Sequence, residues 1–141
     1  MKVILFILFL PITLPYYIIK KLIELFRRKN IELPDDIRQF RIYVAGAQYK
    51  NDDGSDRQQY IKKCKPGEEL LLVPAPSKYD EYGIQIYRKT GECIGWVPAK
   101  YSYEFTTEIE RGINIRAFFH SRIKPNKEYD FYGGRVTIIK Y

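Results

Sequence analysis

Short stretches in which apolar and polar residues alternate, each followed by a turn, restrict most of this chain to a small β-rich fold. In the first stretch, Phe40, Ile42 and Val44 alternate with Arg41 and Tyr43, which is the period of a strand buried on one face. Five further strands are predicted, at residues 69–74, 84–87, 93–97, 113–119 and 135–141. Six strands of this length predict a small closed barrel.

One or two short helices accompany the strands. Residues 57–63 favour the first, and residues 99–111 favour the second because Tyr101, Phe105 and Ile109 fall four apart on one helical face. The apolar phase of the strands predicts one shared core. Its members are Phe40, Ile42, Val44, Leu70, Leu72, Ile84, Ile86, Ile94, Ile115 and Val136.

The N-terminus has a different character. Residues 3–19 carry no charge, and as a helix they would be roughly 25 Å long, at the short end of a bilayer span. Five cations follow this run, which by the positive-inside rule places the rest of the chain in the cytoplasm. We therefore expect residues 1–30 to be a single-pass transmembrane anchor with a basic juxtamembrane segment, residues 31–38 a linker, and residues 39–141 the folded domain.

Two other interpretations of the N-terminus remain open. A helix of this composition can also lie on the membrane surface without crossing it. A cleaved signal peptide would need small residues before the cut, and this run ends in Leu-Pro-Tyr-Tyr-Ile-Ile.

The positive charge of the chain is concentrated in the same segment. The whole chain has 24 Lys and Arg against 17 Asp and Glu, a net charge of +7, but residues 1–30 alone hold six cations and one anion. Residues 31–141 are therefore close to neutral, at +2. The positive net charge of the whole chain therefore does not by itself indicate that the folded domain binds nucleic acid.

No catalytic or metal-binding constellation is visible. The chain has one histidine, His120, and two cysteines, Cys64 and Cys93, which we expect to be reduced thiols in the cytoplasm. It has no GxxxxGK[ST] or GxGxxG phosphate loop. We therefore predict a binding protein without metal or cofactor, not an enzyme, although a hydrolase stays open.

Aromatic residues are abundant, with 13 Tyr, 8 Phe and 1 Trp. Five of them fall in loops or on the polar phase of strands: Tyr49, Tyr79, Tyr82, Tyr87 and Phe118. Exposed aromatics can stack unpaired bases at ~1–3 kcal/mol each. The alternative is that a tyrosine-rich barrel uses them for packing.

Four short motifs follow one another along the folded domain. They are GAQY at residues 46–49, GEELLL at 67–72, SKYDEYGIQI at 77–86 and GECIGW at 91–96. In this order and spacing, residues 39–123 resemble the HIRAN domain, whose motifs run Gly-x-x-Tyr, G-x-x-L-x-L, N-x-Y-D-x-N-A-I-x-V and G-x-x-I-G-Y/H.

The resemblance implies an OB-like barrel that captures the 3′ end of single-stranded DNA. By motif, Tyr49 and Tyr79 would stack terminal bases, and Asp80 would accept a hydrogen bond from the terminal 3′-hydroxyl. A carboxylate suits this task because it accepts from a free hydroxyl and repels a continuing phosphate.

Several positions depart from the family motif. Gln48 stands where the motif tends to have Arg, Ser77 replaces the loop Asn, and Gly83 replaces the Ala. Lys100 lies next to the position of a basic residue, and Trp96 could either stack on a ligand or belong to the core. The predicted nucleic-acid site thus comprises Gln48, Tyr49, Tyr79, Asp80, Trp96 and Lys100.

Two functions fit these observations. The first is a membrane-tethered module that binds single-stranded nucleic-acid ends. The second is a barrel at the membrane that has lost DNA affinity and binds a protein or another ligand, which the near-neutral domain charge favours. The lipid bilayer is a partner in both, through residues 3–19.

The predicted anchor can be tested by membrane extraction. The full chain should fractionate with membranes and resist a high-salt wash, because a spanning helix is held by apolar burial and not by charge. Release by salt alone would favour the surface-bound alternative. Protease added to intact cells should leave the domain undigested, and digestion there would overturn the cytoplasmic orientation.

Overall fold

The computed structural model describes residues 38–141, together with residues 18, 20, 21 and 24. The predicted membrane segment and most of the predicted linker therefore lie outside the described residues. Within the described part of the chain, no helix is long and apolar enough to cross a membrane.

Six antiparallel strands form one sheet. They are β1 (Arg38–Tyr43), β2 (Glu69–Pro74), β3 (Ile84–Arg88), β4 (Cys93–Trp96), β5 (Ile115–Ile123) and β6 (Gly133–Lys140). Their order across the sheet is β1-β6-β5-β2-β3-β4, so the last strand lies between the first and the fifth. All six predicted strands are confirmed, with ends shifted by a few residues.

The two edge strands of this sheet meet at one point. Ala45, just after β1, and Trp96, at the end of β4, form an isolated antiparallel bridge. Each donates its backbone N–H to the other's carbonyl, at 2.8 and 2.9 Å. The sheet is thus an OB-like half-barrel closed by a single bridge, where the alternation had predicted a closed barrel.

Gly95 makes this close approach possible. Its φ is +150°, and a Cβ there would lie 2.4 Å from Val44 Cγ1 and 2.6 Å from the Ala45 carbonyl oxygen. No side chain fits at such distances, so the two segments can approach each other only with glycine at this position. A bulge in the pairing of β3 with β4 also lies beside it, where Ile86 faces Gly95 and Tyr87 faces Cys93.

Two helices accompany the described sheet. Helix α1 (Arg57–Lys63) begins at Asp56, whose carboxylate accepts the Gln58 N–H at 2.9 Å. Helix α2 (Ala99–Glu110) packs Phe105 into the core and ends before Gly112. Both helices were predicted over nearly these residues.

Buried Lys140 fastens α2 to the sheet. Its ammonium lies 3.2 Å from Glu104 and 2.6 Å from Glu108, both on α2. It also lies 4.7 Å from the ring centroid of Phe105, a cation–π contact. A buried ammonium with two carboxylates holds the helix in one place on β6.

All ten predicted core residues belong to the observed core. Seven are buried, and Phe40, Leu72 and Ile115 pack against them while partly exposed. Cys64 and Cys93 are free and buried, and burial raises the pKa of the Cys64 thiol to about 12.

Two predicted orientations were wrong. Ile109 is 40% exposed, because the buried residues of α2, Ser102 and Phe105, lie in its first two turns and the last turn extends past the core. Phe118 is buried, although it occupies the polar phase of its strand. Its ring lies 5.2 Å from the Arg116 guanidinium, and Phe119 is buried beside it, so β5 is covered on both faces here.

The core assignment predicts the cost of truncating Ile86, which is fully buried in β3. Ile86→Ala should lower the free energy of unfolding by about 2–4 kcal/mol, measured by denaturant titration. Leu71→Ala on the neighbouring strand is the control, because Leu71 is 44% exposed and its loss should be smaller. A loss below about 1 kcal/mol for Ile86→Ala would contradict the assignment.

Candidate functional site

An open groove of about 730 Å³ lies beside the Ala45–Trp96 bridge. Four of the six predicted site residues line it: Tyr49, Tyr79, Asp80 and Trp96. They come from three separate places in the chain: the segment after β1, the loop between β2 and β3, and the end of β4. Closure of the sheet brings these three places together.

Tyr49 and Tyr79 present their rings to solvent. Their exposed fractions are 63% and 87%, unusually high for aromatic side chains. The Lys78 ammonium lies 5.1 Å from the centroid of the Tyr79 ring. Exposed rings with a cation close by can stack unpaired bases.

Trp96 is half-buried and forms part of the groove wall. A Cβ on Gly46 would lie 3.5 Å from Trp96 Cδ1, and a Cβ on Gly83 would lie 2.9 Å from Trp96 Cζ3. The indole therefore extends from Gly46, which lines the groove, to the buried Gly83. Among the described residues, Trp96 is not part of the core cluster; its backbone closes the sheet and its side chain lines the groove.

The Asp80 carboxylate is held by two donors. Oδ1 accepts the Tyr82 N–H at 2.9 Å, and Oδ2 accepts the hydroxyl of Ser102 at 2.7 Å. Ser102 is fully buried in α2, so it fixes the carboxylate from the protein side. Each carboxylate oxygen has two lone pairs, which leaves both oxygens able to accept one more hydrogen bond from the groove.

Ser77 organises the same loop. Its hydroxyl accepts the backbone N–H groups of Tyr79 and Asp80, both at 3.2 Å. Its own N–H donates to the Asp80 carbonyl at 2.9 Å. Ser77 thus forms the turn contacts typical of Asn or Ser at such positions, and the departure from the family's Asn does not disrupt the loop.

Gln48 and Lys100 do not join the other four predicted residues. Both are exposed, and neither is among the described residues that line the groove. The Lys100 ammonium lies 5.0 Å from the ring centroid of Tyr101 instead.

Three contributors to the groove were not predicted: Arg57, Lys78 and Ser102. Arg57 is buried, lines the groove, and donates to the Asn51 amide oxygen at 2.7 Å and to the Gly46 carbonyl at 2.9 Å. The sequence carries no signal for it, because it lies outside the four motifs. Lys78 could have been noticed from its place beside Tyr79.

The charged residues that line the groove are balanced. Arg57 and Lys78 contribute two positive charges, and Asp52 and Asp80 contribute two negative ones. In the part of the chain described by the structure, no three His, Cys, Asp or Glu side chains are grouped so as to hold a metal ion. The groove is therefore aromatic and electrically mixed, not strongly basic.

Comparison with known proteins identifies the family. The HIRAN domain model matches residues 37–131, which is most of the chain. The chain belongs to the HIRAN family. The match ends before β6, although this strand lies between β1 and β5 in the sheet.

Two solved structures share the fold. The HIRAN domain of human HLTF is similar with a TM-score of 0.54 and 13% sequence identity, covering 72% of this chain and 74% of that one. A Lactobacillus plantarum protein from a structural genomics consortium is similar with a TM-score of 0.52 and 12% identity, covering 74% of this chain and 99% of that one. No curated protein matches the sequence.

Two departures from the HIRAN motif lie against each other. The motif has Ala where this chain has Gly83, and Tyr or His where it has Trp96. A Cβ at Gly83 would lie 2.9 Å from the indole and 2.8 Å from the Ala75 carbonyl oxygen. Position 83 therefore has no room for a side chain, because the Ala75 carbonyl oxygen and the indole ring both crowd it.

This crowding predicts the effect of Gly83→Ala. Overpacking against Trp96 should cost about 1–3 kcal/mol of unfolding free energy, measured by denaturant titration. Adding Trp96→Tyr should recover part of the loss, because the smaller ring lacks the crowded Cζ3 atom. Gly133→Ala is the control, since a Cβ there meets its nearest neighbour at an ordinary 3.4 Å. Equal losses in the Gly83→Ala single variant and the double variant would contradict a contribution of the indole to the crowding.

Proposed function

We propose that this HIRAN domain binds the 3′ end of single-stranded DNA in the groove beside the Ala45–Trp96 bridge. The proposal rests mainly on the way in which the Asp80 carboxylate is held. It is fixed by Ser102 and the Tyr82 N–H at the edge of a groove with two exposed tyrosines. Membership in a family associated with DNA 3′ ends supports the same conclusion.

Asp80 would select the end of the strand over its interior. Its free lone pairs can accept a hydrogen bond from a terminal 3′-hydroxyl. A continuing strand would place a phosphate there, and two negative charges would repel each other in a partly buried site. Because Asp80 cannot turn away from its two donors without losing them, the selection is built into the loop.

Tyr79 and Tyr49 would supply sequence-independent affinity. Their rings are already exposed, so a base can stack on either without first breaking a packed contact. Such stacking is tolerant of base identity, because every base has a π-face. We expect little preference among the four bases at the terminal position.

The groove is proposed to bind and not to catalyse. Its described lining includes no His or Cys, and the Ser77 hydroxyl accepts from Tyr79 and Asp80. We also propose that residues 3–19 tether the domain to a membrane on its cytoplasmic side. The uncharged run and the five cations after it support this.

A second candidate ligand is a protein or peptide. The balanced charge of the groove lining favours it, because a groove with equal positive and negative charges gains little from a polyanion. Such a ligand would bind without regard to a 3′-hydroxyl.

Fluorescence anisotropy separates these candidates, using the full chain in non-ionic detergent and labelled single strands that end in 3′-hydroxyl or 3′-phosphate. The wild-type chain should prefer the 3′-hydroxyl strand, with a shallow salt dependence because few phosphates are neutralised. Tyr79→Ala should weaken binding by ~1–3 kcal/mol. Tyr129→Ala is the matched control, since Tyr129 is 56% exposed but lies outside this groove.

Asp80→Asn should act on selectivity and not on overall affinity. It removes a negative charge while keeping the size of the side chain, so affinity should hold or rise. The preference for 3′-hydroxyl over 3′-phosphate should shrink. If the wild-type chain binds neither strand at low salt, where charge attraction is strongest, the DNA proposal fails and the protein ligand takes its place.

A further inference from the structure

Arg57 is a buried cation whose charge has no carboxylate partner in the described structure. The residue is 6% exposed, and its hydrogen bonds go to uncharged acceptors, the Asn51 side-chain oxygen at 2.7 Å and the Gly46 carbonyl at 2.9 Å. Among the described residues, its side chain forms no ion pair within 4.0 Å. Asp52 lines the same groove but lies beyond that distance. A buried charge without a counter-charge is costly unless an anion approaches it.

The Arg57 guanidinium lies close to both Tyr49 and Trp96, two of the aromatic residues that line the groove. A Cβ built on Gly46 would lie 3.2 Å from Arg57 Nη1, 3.5 Å from Trp96 Cδ1 and 3.8 Å from Tyr49 Cδ2. One point is thus within 4 Å of the cation and both rings. A ligand that stacks on Tyr49 or lies along Trp96 is then within a few ångströms of the positive charge.

Asn51 fixes the orientation of this arginine. Its amide nitrogen donates to the Ser55 hydroxyl and to the Cys93 carbonyl, both at 3.0 Å, which directs its oxygen at Arg57 Nε. The guanidinium is therefore preorganised, and little side-chain freedom remains to be lost on binding. A planar guanidinium held in this way suits an oxyanion such as phosphate.

We propose that Arg57 binds a backbone phosphate of the single strand whose 3′ end lies at Asp80. This inference rests on the proposed function and adds to it the residue that reads the phosphate chain. The family motif tends to place an arginine immediately before the first tyrosine, where this chain has Gln48. Arg57 brings a cation to the groove from a different element, the first residue of α1.

The arrangement divides the groove into parts with different chemistry. Asp80 binds the uncharged hydroxyl end, Tyr49 and Tyr79 stack on bases, and Arg57 binds one phosphodiester. A single such contact agrees with a groove whose lining has equal numbers of positive and negative groups. It also predicts that one linkage matters far more than its neighbours.

Methylphosphonate substitution tests this, because it removes the charge of one linkage and leaves the strand otherwise unchanged. Anisotropy is measured with the full chain in non-ionic detergent and strands that carry one methylphosphonate at the first, second or third linkage from a 3′-hydroxyl end. At one position the substitution should weaken wild-type binding by about tenfold, as expected for a hydrogen bond to a charged group. The other positions should show only small losses.

Arg57→Gln should weaken binding of the unmodified strand by about the same factor and abolish the sensitivity to that methylphosphonate. Arg111→Gln is the matched control, because Arg111 is exposed at the end of α2 and outside the groove lining. It should keep the full sensitivity. Equal sensitivity in wild type and Arg57→Gln, or no sensitive linkage in wild type, would overturn the inference.

Arg57 also donates a hydrogen bond to the Gly46 carbonyl, so its substitution could disturb the fold. A separate measurement must therefore show that the groove is intact in the variant. Tyr79→Ala should still weaken binding when added to Arg57→Gln, which shows that the groove persists. If Arg57→Gln does not fold, Arg57→Lys replaces it and should bind the unmodified strand about threefold more weakly, with reduced sensitivity. No change in either quantity would overturn the inference. The 3′-hydroxyl preference of the wild type tests the proposed function separately, because it can persist when the Arg57 contact is disproved.

Discussion

The two hydrogen bonds between Ala45 and Trp96 join the edges of the sheet, and the candidate site depends on them. Without this bridge, the segment that carries Tyr49 and the strand that carries Trp96 would be opposite edges of an open sheet. Gly95 permits the approach, because any side chain there would collide with Val44 and Ala45. The I-G element of the HIRAN motif thus has a physical role, which is to let the first and fourth strands meet.

The core also determines the position of Asp80, through helix α2. Phe105 is buried under α2, and Lys140 ties the same helix to β6 through Glu104 and Glu108. Ser102, one turn before Phe105, then holds the Asp80 carboxylate from below. Packing energy in the core therefore fixes the position of a side chain at the surface. A loosened α2 should therefore weaken the proposed selection of the strand end before the domain unfolds.

Much of the fold could be predicted because its signal is local. Alternation placed Ile42, Ile84 and Ile86 in the core, and the structure confirms them there. The predicted exposure of Phe118 was wrong, because alternation assumes a strand with one exposed face and β5 is covered on both faces. The single-bridge closure could not be predicted, because it depends on two residues about fifty positions apart.

The candidate site could also be predicted only in part. Tyr79 and Asp80 are adjacent in a recognisable motif, so sequence alone proposed them. Arg57 carries no motif, and only the folded chain shows that its guanidinium comes within reach of Tyr49 and Trp96. Gln48 and Lys100 were proposed from neighbouring positions in the motif, but side-chain direction and not sequence position decides which residues line a groove.

Nitrogen-15 chemical-shift mapping of the full chain in detergent micelles, titrated with a short single strand ending in a 3′-hydroxyl, tests the central claim most directly. The claim is that sheet closure assembles one groove for the strand end. The largest shifts are predicted for the Trp96 indole N–H, the Arg57 Nε–H and the backbone amides of Gly46 and Tyr82. Shifts confined to the separate surface around Tyr43 and Tyr129, with these four signals unmoved, would contradict it.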